Sequence, residues 1–251
     1  MDILYIVGTG SLCDDLELRS SLRSIATFGR NVGKVYVAGH CPAWLSEKVT
    51  KIPCGDIYRH TPTTHGERNA NVLSKMLKAI DTSDIGEEFL VSFDDHFYVR
   101  PVDFDNYPYY VRDIGGQGTG ELPRHHDGET LYRKLLADTR EYLEHHDLPT
   151  LNFALHRNMH VSRRAVSEAR ALLDEIVRKA IPCDRFVLIG NWMYKYHGIS
   201  VEVVRDNKFS SGSSWYKTAA THVFSTGDFP RGSGLAMLLS SMFNKKSKYE
   251  L

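Results

Sequence analysis

The sequence predicts an α/β protein: a mostly parallel sheet flanked by helices, followed by an irregular, largely helical C-terminal half. Two observations carry this. Over about the first hundred residues, short apolar runs alternate with amphipathic segments in the order β-α-β-β-α-β, the pattern of a parallel sheet covered by helices. Beyond residue 104 glycine-rich and polar stretches separate two strongly amphipathic helices.

The elements follow in order. "ILYIVGTG" is a short apolar run that stops at glycines, as a buried parallel strand does. "DDLELRSSLRSIATFG" sets Leu18, Leu22 and Ile25 at helical spacing, with Asp14 or Asp15 as the expected cap. "KVYVAGH" and "VTKIPC" are the second and third strands. "GERNANVLSKMLKAIDTSD" is a helix with Val72, Met76, Leu77 and Ile80 on one face, and "EEFLVSFDD" returns to the sheet. "YVRDIGGQGTGELPRHHDG" reads as a loop. "ETLYRKLLADTREYLEHH" and "SRRAVSEARALLDEIVRKA" are amphipathic helices. "ISVEVVRDN" is a late strand, and "LAMLLSSMFNKKSKYEL" is a short helix with a basic end. No internal repeat or separating linker interrupts the chain, so residues 1–251 are expected to form one domain.

Composition narrows the function classes. Hydrophobic residues make up 42% of the 251 and charged residues 25%, as in ordinary globular chains. No apolar run reaches membrane-spanning length, and the start lacks the basic region of a signal peptide, which leads us to expect a cytoplasmic protein with no membrane partner. Lys+Arg and Asp+Glu both number 31, so net charge supplies no general attraction to nucleic acid. Cys13, Cys41, Cys54 and Cys183 are widely spaced and form no C-x-x-C; reduced thiols are expected.

The stretch "EEFLVSFDDHFYVRPVDF" raises the chemical question. An apolar strand ends abruptly in Asp94 and Asp95. Ligands of open α/β sheets bind at the carboxyl ends of strands, and adjacent carboxylates repel unless a positive charge joins them. A hard divalent cation such as manganese or magnesium satisfies both and also holds a diphosphate. A plain Asp-Asp turn between two strands is the alternative reading.

"LELRSSLRSIATFGRNVGKVYVAGHCPAWL" followed by "FLVSFDDHFYVRPVDF" resembles the Stealth-type sugar-phosphate transferases of capsule synthesis. There a Glu-Leu-Arg-x-Ser-Leu-Arg-Ser-Ile segment precedes Pro-x-Trp-Leu and an Asn-Asp-Asp-x-Phe motif. The order is also similar to small phage-type glycosyltransferases with a GT-A-like nucleotide-sugar fold. Their Asn-x-x-x-His and Gly-Asn-x-x segments match Asn152–His156 and Gly190-Asn191. Where the Stealth opening has Trp-Val-Asp-Gly, this chain has "IVGTGS", which favours transfer of a sugar over that of a sugar phosphate. The resemblance implies a nucleotide-sugar-binding half, residues 1–104, and an acceptor-side half, residues 105–251.

Within that frame Asp94 and Asp95 are the expected metal ligands, with Asp95 also catalytic. Gly8, Thr9, Gly10 and Ser11 would cradle the nucleotide, because glycines let backbone N–H groups approach a phosphate; a plain strand-to-helix turn is the alternative. Arg68 opens the second helix and is placed to pair with a diphosphate. Asn71 and Lys75 continue its face, which a solvated polar face would mimic. His156 matches the family histidine and is expected to bind a sugar, with a satisfied core histidine as the alternative. His160 lies four residues on, a metal spacing if that segment is helical. His125-His126 and His145-His146 read as surface residues. Asn191 is expected near the donor. Asp127, Glu129 and Asp184 are candidate bases, Asp206 and Lys208 candidate charges near the diphosphate, and His222 a late histidine for the metal.

The leading expectation is a metal-dependent glycosyltransferase using a nucleoside-diphosphate sugar and a hydroxyl acceptor. A Stealth-like sugar-phosphate transferase and a non-catalytic nucleotide- or carbohydrate-binding protein are the alternatives. The phage-type resemblance implies a hydroxymethylated pyrimidine in DNA as acceptor, ahead of a saccharide; Lys208, Lys217, Arg231, Lys245, Lys246 and Lys248, with Trp215 and Tyr216 among them, would suit a DNA partner.

Overall fold

A central five-stranded sheet positions everything else. The computed structural model describes residues 1–59, 64–114, 118–205 and 222–251, and the backbone of 208–209. Its first half comprises β1 (Asp2–Val7), α1 (Leu16–Phe28), β2 (Gly29–Arg30), β3 (Val35–Gly39), β4 (Val49–Pro53), α2 (His65–Thr82) and β5 (Glu88–Ser92). These strands lie in the order β4-β3-β1-β5, all parallel, with Ile3 opposite both Val35 and Leu90. From β1 the chain moves outward through β3 to β4, and α2 then carries it back past β1 to β5. The strand order therefore reverses between β1 and β5, the switch point where open sheets leave a crevice.

Residues of β1 alternate between the two faces. Leu4 and Ile6 pack under α2 with Leu73, Met76 and Leu77, whereas Ile3, Tyr5 and Val7 pack under α1 with Leu18, Leu22 and Ile25. Both expected helices thus bury the stripes that their spacing defined. The cap of α1 differs from expectation: Asp14 and Asp15 both adopt left-handed backbone, and Asp15 at the cap makes no side-chain hydrogen bond to the helix.

The second half contains β6 (His96–Tyr98), β7 (Val102–Asp103), β8 (Tyr109–Arg112), α3 (Leu131–His145), β9 (Met159–Ser162), α4 (Arg163–Glu168), α5 (Arg170–Lys179), α6 (Arg185–His197), β10 (Val201–Val204), β11 (Lys208–Phe209), β12 (Val223–Thr226) and α7 (Gly234–Met242). It completes the sheet: β9 runs antiparallel along β5. The helix expected over residues 162–180 is two, α4 and α5, parted at Ala169. The late strand β10 pairs with β8, outside the main sheet, and β12 pairs antiparallel with β6.

Helix α6 has no amphipathic stripe, because Phe186 through Asn191 are all buried; a helix apolar all round belongs in a core. Asp184 caps it, accepting from the N–H groups of Phe186 and Val187. That commitment removes Asp184 from the candidate bases. Among the described residues no helix is long and apolar enough to cross a membrane, and all four cysteines are free thiols.

The residues of "LELRSSLRSI" hold the C-terminal segment as well as the core. Arg23 grips Glu250 through both carboxylate oxygens at 2.8 and 2.6 Å, and Arg19 adds a contact at 3.2 Å while stacking 3.9 Å over Trp44. Burial pushes the Glu250 carboxyl up, but the Arg23 hydrogen bonds and the Ser247 N–H overcome this and hold it at about 2. Replacing Glu250 by Ala leaves two arginines facing each other; we expect a loss of about 3 kcal/mol in stability, measured by urea unfolding at neutral pH. Because the folded carboxyl titrates below the unfolded one, the wild-type advantage persists above about pH 4.5 and fades as the pH falls toward 2. A loss below about 0.5 kcal/mol at pH 7 would show the clamp to be an exposed ion pair in effect.

Candidate functional site

A cavity of about 580 Å³ opens at the carboxyl ends of β1 and β5. Its floor is the exit of β5, Phe93-Asp94-Asp95, continued by His96 of β6. The loop after β1 contributes Gly8, Gly10 and Ser11, and α1 contributes Glu17. On the opposite side stand Arg68, Asn71 and Lys75 of α2, and Leu155 with His156 closes one end. The end of β12 brings Thr226, Gly227 and Asp228 to the acidic pair.

The serines of α1 explain why the floor lies where it does. Ser21 donates its hydroxyl to the His96 carbonyl at 2.6 Å, and Ser24 accepts from the Tyr98 N–H at 3.0 Å. Both serines are fully buried, so small hydroxyl side chains let β6 lie directly against the helix. The other edge of β6 pairs with β12, Ser225 opposite His96. That register carries Asp228 to the cavity.

The floor is electrostatically strained. Asp94 keeps an opening to the cavity, but protein surrounds its other sides. Burial first, and then the carboxylates of Asp95, Glu17 and Asp228, push its pKa up to about 8. Asp95 lies 3.7 Å from the His96 imidazole. Among the described residues no group of three or more His, Cys, Asp or Glu side chains is placed to hold a metal ion. Magnesium-type sites commonly use one or two carboxylates and take the remaining ligands from phosphates and water.

The α2 wall is firmly anchored. The helix begins with a complete capping box between Thr64 and Glu67. Arg68 is exposed, and its guanidinium has no hydrogen-bond or ion-pair partner among the described residues. Lys75 is buried and pairs with Asp56 at 2.6 Å. Gly39, at φ 109°, passes beside the Lys75 stem, and a Cβ there would collide with the Val7 carbonyl. Asn71 is also buried, and its amide oxygen accepts from the N–H groups of Ile57 and Tyr58. Asn71 therefore anchors the loop that carries Asp56. The Arg68–Asn71–Lys75 face lines a cavity, with Asn71 and Lys75 buried and Arg68 exposed.

Other expected residues are placed differently. The Ser11 hydroxyl is fully used: it accepts from Asp15 and Cys13 N–H groups and donates to Glu17 at 2.8 Å. Thr9 is exposed and not part of the lining. A Cβ at Gly10 would meet nothing within 4 Å, so protein packing does not require that glycine.

His156 lies on the cavity, in an irregular segment preceding β9, with Arg112 Nη1 3.4 Å from its Nε2. His160 belongs to β9; it stacks on Tyr109 at 4.2 Å and meets Glu88 at 3.0 Å. The segment is not helical, so the two histidines share no metal site. Asn191 is fully buried. It accepts from the Leu151 N–H and donates to the Leu151 and Val187 carbonyls, which leaves no group for a donor nucleotide. Gly190 gives way to the Phe153 ring, against which any Cβ would collide. The Gly190-Asn191 pair is thus a bracket for the segment that presents His156.

Asp127 sits in an exposed turn outside this cavity, and Glu129 pairs with His125 at 2.7 Å. His222 is exposed and gives its carbonyl to the Val99 N–H. Asp206 and the Lys208 side chain lie outside the described residues. Sequence reasoning missed Glu17, Asp56, His96 and Asp228. His96 and Glu17 sat within quoted motifs, whereas Asp228 carried no local signal. No protein-family model matches the chain, and no curated protein matches it.

The strained floor has a measurable consequence. An unfolded aspartate titrates near 3.9, and folded Asp94 near 8. Between those values the folded chain holds a proton that the unfolded chain has lost, so stability falls as pH rises from about 4 to about 8. Asp94→Asn removes the penalty. Without added metal its melting temperature should match the wild type near pH 4 and exceed it by at least about 3 °C at pH 8, the size of a ~1 kcal/mol gain. Parallel melting curves across that range would show that Asp94 carries no such burden.

Proposed function

We propose that the chain is a metal-dependent glycosyltransferase of GT-A-like fold, cytoplasmic, that moves a sugar from a nucleoside diphosphate to a hydroxyl acceptor. The observation that carries this is one cavity, at the switch point of a parallel sheet, that gathers several acids and an arginine with no partner among the described residues. Asp94, Asp95, Glu17 and Asp228 line it together with Arg68, while Lys75 is held by Asp56. A metal-bound diphosphate has both signs of charge and fits such a lining.

The donor set suits the metal: carboxylate oxygens attract hard divalent cations, and the raised Asp94 pKa marks a place short of positive charge. Asp94 and Asp95 would hold manganese or magnesium, which would neutralise charge on the departing diphosphate. Arg68 orients the phosphates through charge-assisted hydrogen bonds. His156, steadied by Arg112 and the Asn191 bracket, contacts a sugar. In the transfer the acceptor oxygen bonds to the anomeric carbon, and the anomeric bond to the diphosphate breaks with its electron pair leaving on the diphosphate. The hydroxyl proton passes to a base. Asp228 is exposed at the cavity edge and replaces Asp127 as the candidate for that role.

For the acceptor, hydroxymethylated DNA is proposed ahead of a saccharide. Of the basic tail, Lys245, Lys246 and Lys248 are exposed, Arg231 pairs with Asp14, and Trp215, Tyr216 and Lys217 lie outside the described residues. Offering hydroxymethylated and plain duplexes with a panel of nucleotide sugars, then weighing the nucleosides, decides between them. A sugar-sized gain on the hydroxymethylated base alone supports DNA, and transfer only to a saccharide opposes it.

The reading is tested by a thermal-shift screen of nucleoside diphosphates and their sugars, with and without manganese or magnesium. Ligands that bind only the folded chain raise its melting temperature. At least one diphosphate should do so only with metal, and Asp95→Asn should abolish that shift and all transfer. Arg68→Ala should weaken diphosphate binding by about 1.5–3 kcal/mol and leave the binding of the bare nucleoside unchanged. An equal loss for both ligands would make Arg68 a support of the fold.

A further inference from the structure

A second cavity, of about 520 Å³, adjoins the first at Arg68, which lines both. Its walls are fixed. One is the first turn of α2, where Gly66 lies so close to the Ala180 carbonyl that any Cβ would collide with it. The second is the first turn of α3, capped by Thr130. The third is the connection from α5 to α6, including Ala180 and Pro182.

The lining has two characters. Leu131, Leu135, Ala180 and Pro182 are apolar. Leu131 is 74% exposed, a large apolar side chain left in water where a ligand would cover it. Arg68, Lys134 and His65 bring basic groups. Lys134 has no ion-pair partner among the described residues. Asp138, the one carboxylate among the described lining residues, faces His125 at 3.2 Å. Sugar hydroxyls are normally met by carboxylates and amides, which this lining scarcely offers, whereas an apolar body bearing an anion matches both of its features.

We propose that this second cavity is the acceptor subsite, and that it takes an acceptor whose hydroxyl is carried on an apolar, ring-sized body beside an anionic group. The ligand chemistry stands on the lining; the acceptor role rests on the transferase reading. Because Arg68 borders both cavities, an occupant of the second and the donor phosphates would share one arginine.

Three probes separate the contributions: 4-(hydroxymethyl)phenyl phosphate, benzyl alcohol (ring without anion) and glycerol phosphate (anion without ring). Titration calorimetry on the full chain should show the first binding at least about tenfold tighter than either fragment. Lys134→Glu and Leu131→Asp, both at exposed positions, should each weaken it by about tenfold, with manganese–ADP titration as the control for a folded donor cavity. Equal binding of the three probes, or indifference to both substitutions, overturns the subsite. The first probe should then speed consumption of whichever nucleotide sugar the donor cavity binds. Tight, variant-sensitive binding without any such increase overturns the acceptor role. Failure to bind any nucleoside diphosphate, with the probe pattern intact, instead overturns the transferase reading and leaves the cavity's ligand chemistry standing.

Discussion

Two carboxylates that leave a buried strand together cannot both ionise cheaply, and the cavity is organised around that repulsion. The parallel pairing of β1 with β5 brings the ends of both strands to one crevice, so Asp94 and Asp95 face a gap and not bulk water. Glu17 and Asp228 add further negative charge to the same floor. A fold has no stability reason to collect four acids in one place. The reading proposed above would account for it: the acids would take a cation, and Arg68, which lines the same cavity, an anion.

Several otherwise separate features maintain that geometry. The buried serines of α1 seat β6, and β6 seats β12, which delivers Asp228. Asn191 and Gly190 clamp the segment bearing His156. Asn71 holds the loop that supplies Asp56 to Lys75. The positioning residues lie in hydrogen-bonded cores, whereas Arg68, which would meet the ligand, is exposed. Rigid support behind a solvent-accessible contact group is what a preorganised electrostatic site requires.

The first half of the fold was legible because buried parallel strands are apolar runs and covering helices keep a 3.6-residue stripe. In the C-terminal half α3 was legible by the same stripe, and β10 and α7 as short apolar runs. Helix α6 has no continuous polar face to reveal its period, and β9, Met159-His160-Val161-Ser162, alternates apolar and polar over only four residues, too short a stretch to stand out. For the site, the charge pattern at Asp94-Asp95 and the Arg68 face pointed to one cavity. The structure places Asn191 against backbone, and a sequence does not distinguish an amide that binds a ligand from one that pairs with backbone. Asp127 lies outside the cavity, and a carboxylate in a turn carries no sign of which cavity it faces. Asp228 reaches the floor through strand pairing distant in sequence, which local patterns do not encode.

The central claim is that the acidic floor binds one divalent cation jointly with a diphosphate. Electron paramagnetic resonance of free manganese, titrated into the protein with and without a nucleoside diphosphate, tests it most directly. One manganese bound per chain, tightened by the diphosphate and lost in Asp94→Asn, is the result this account predicts. Manganese bound equally well by that variant, or a diphosphate seated beside Arg68 with no need of metal, would contradict it.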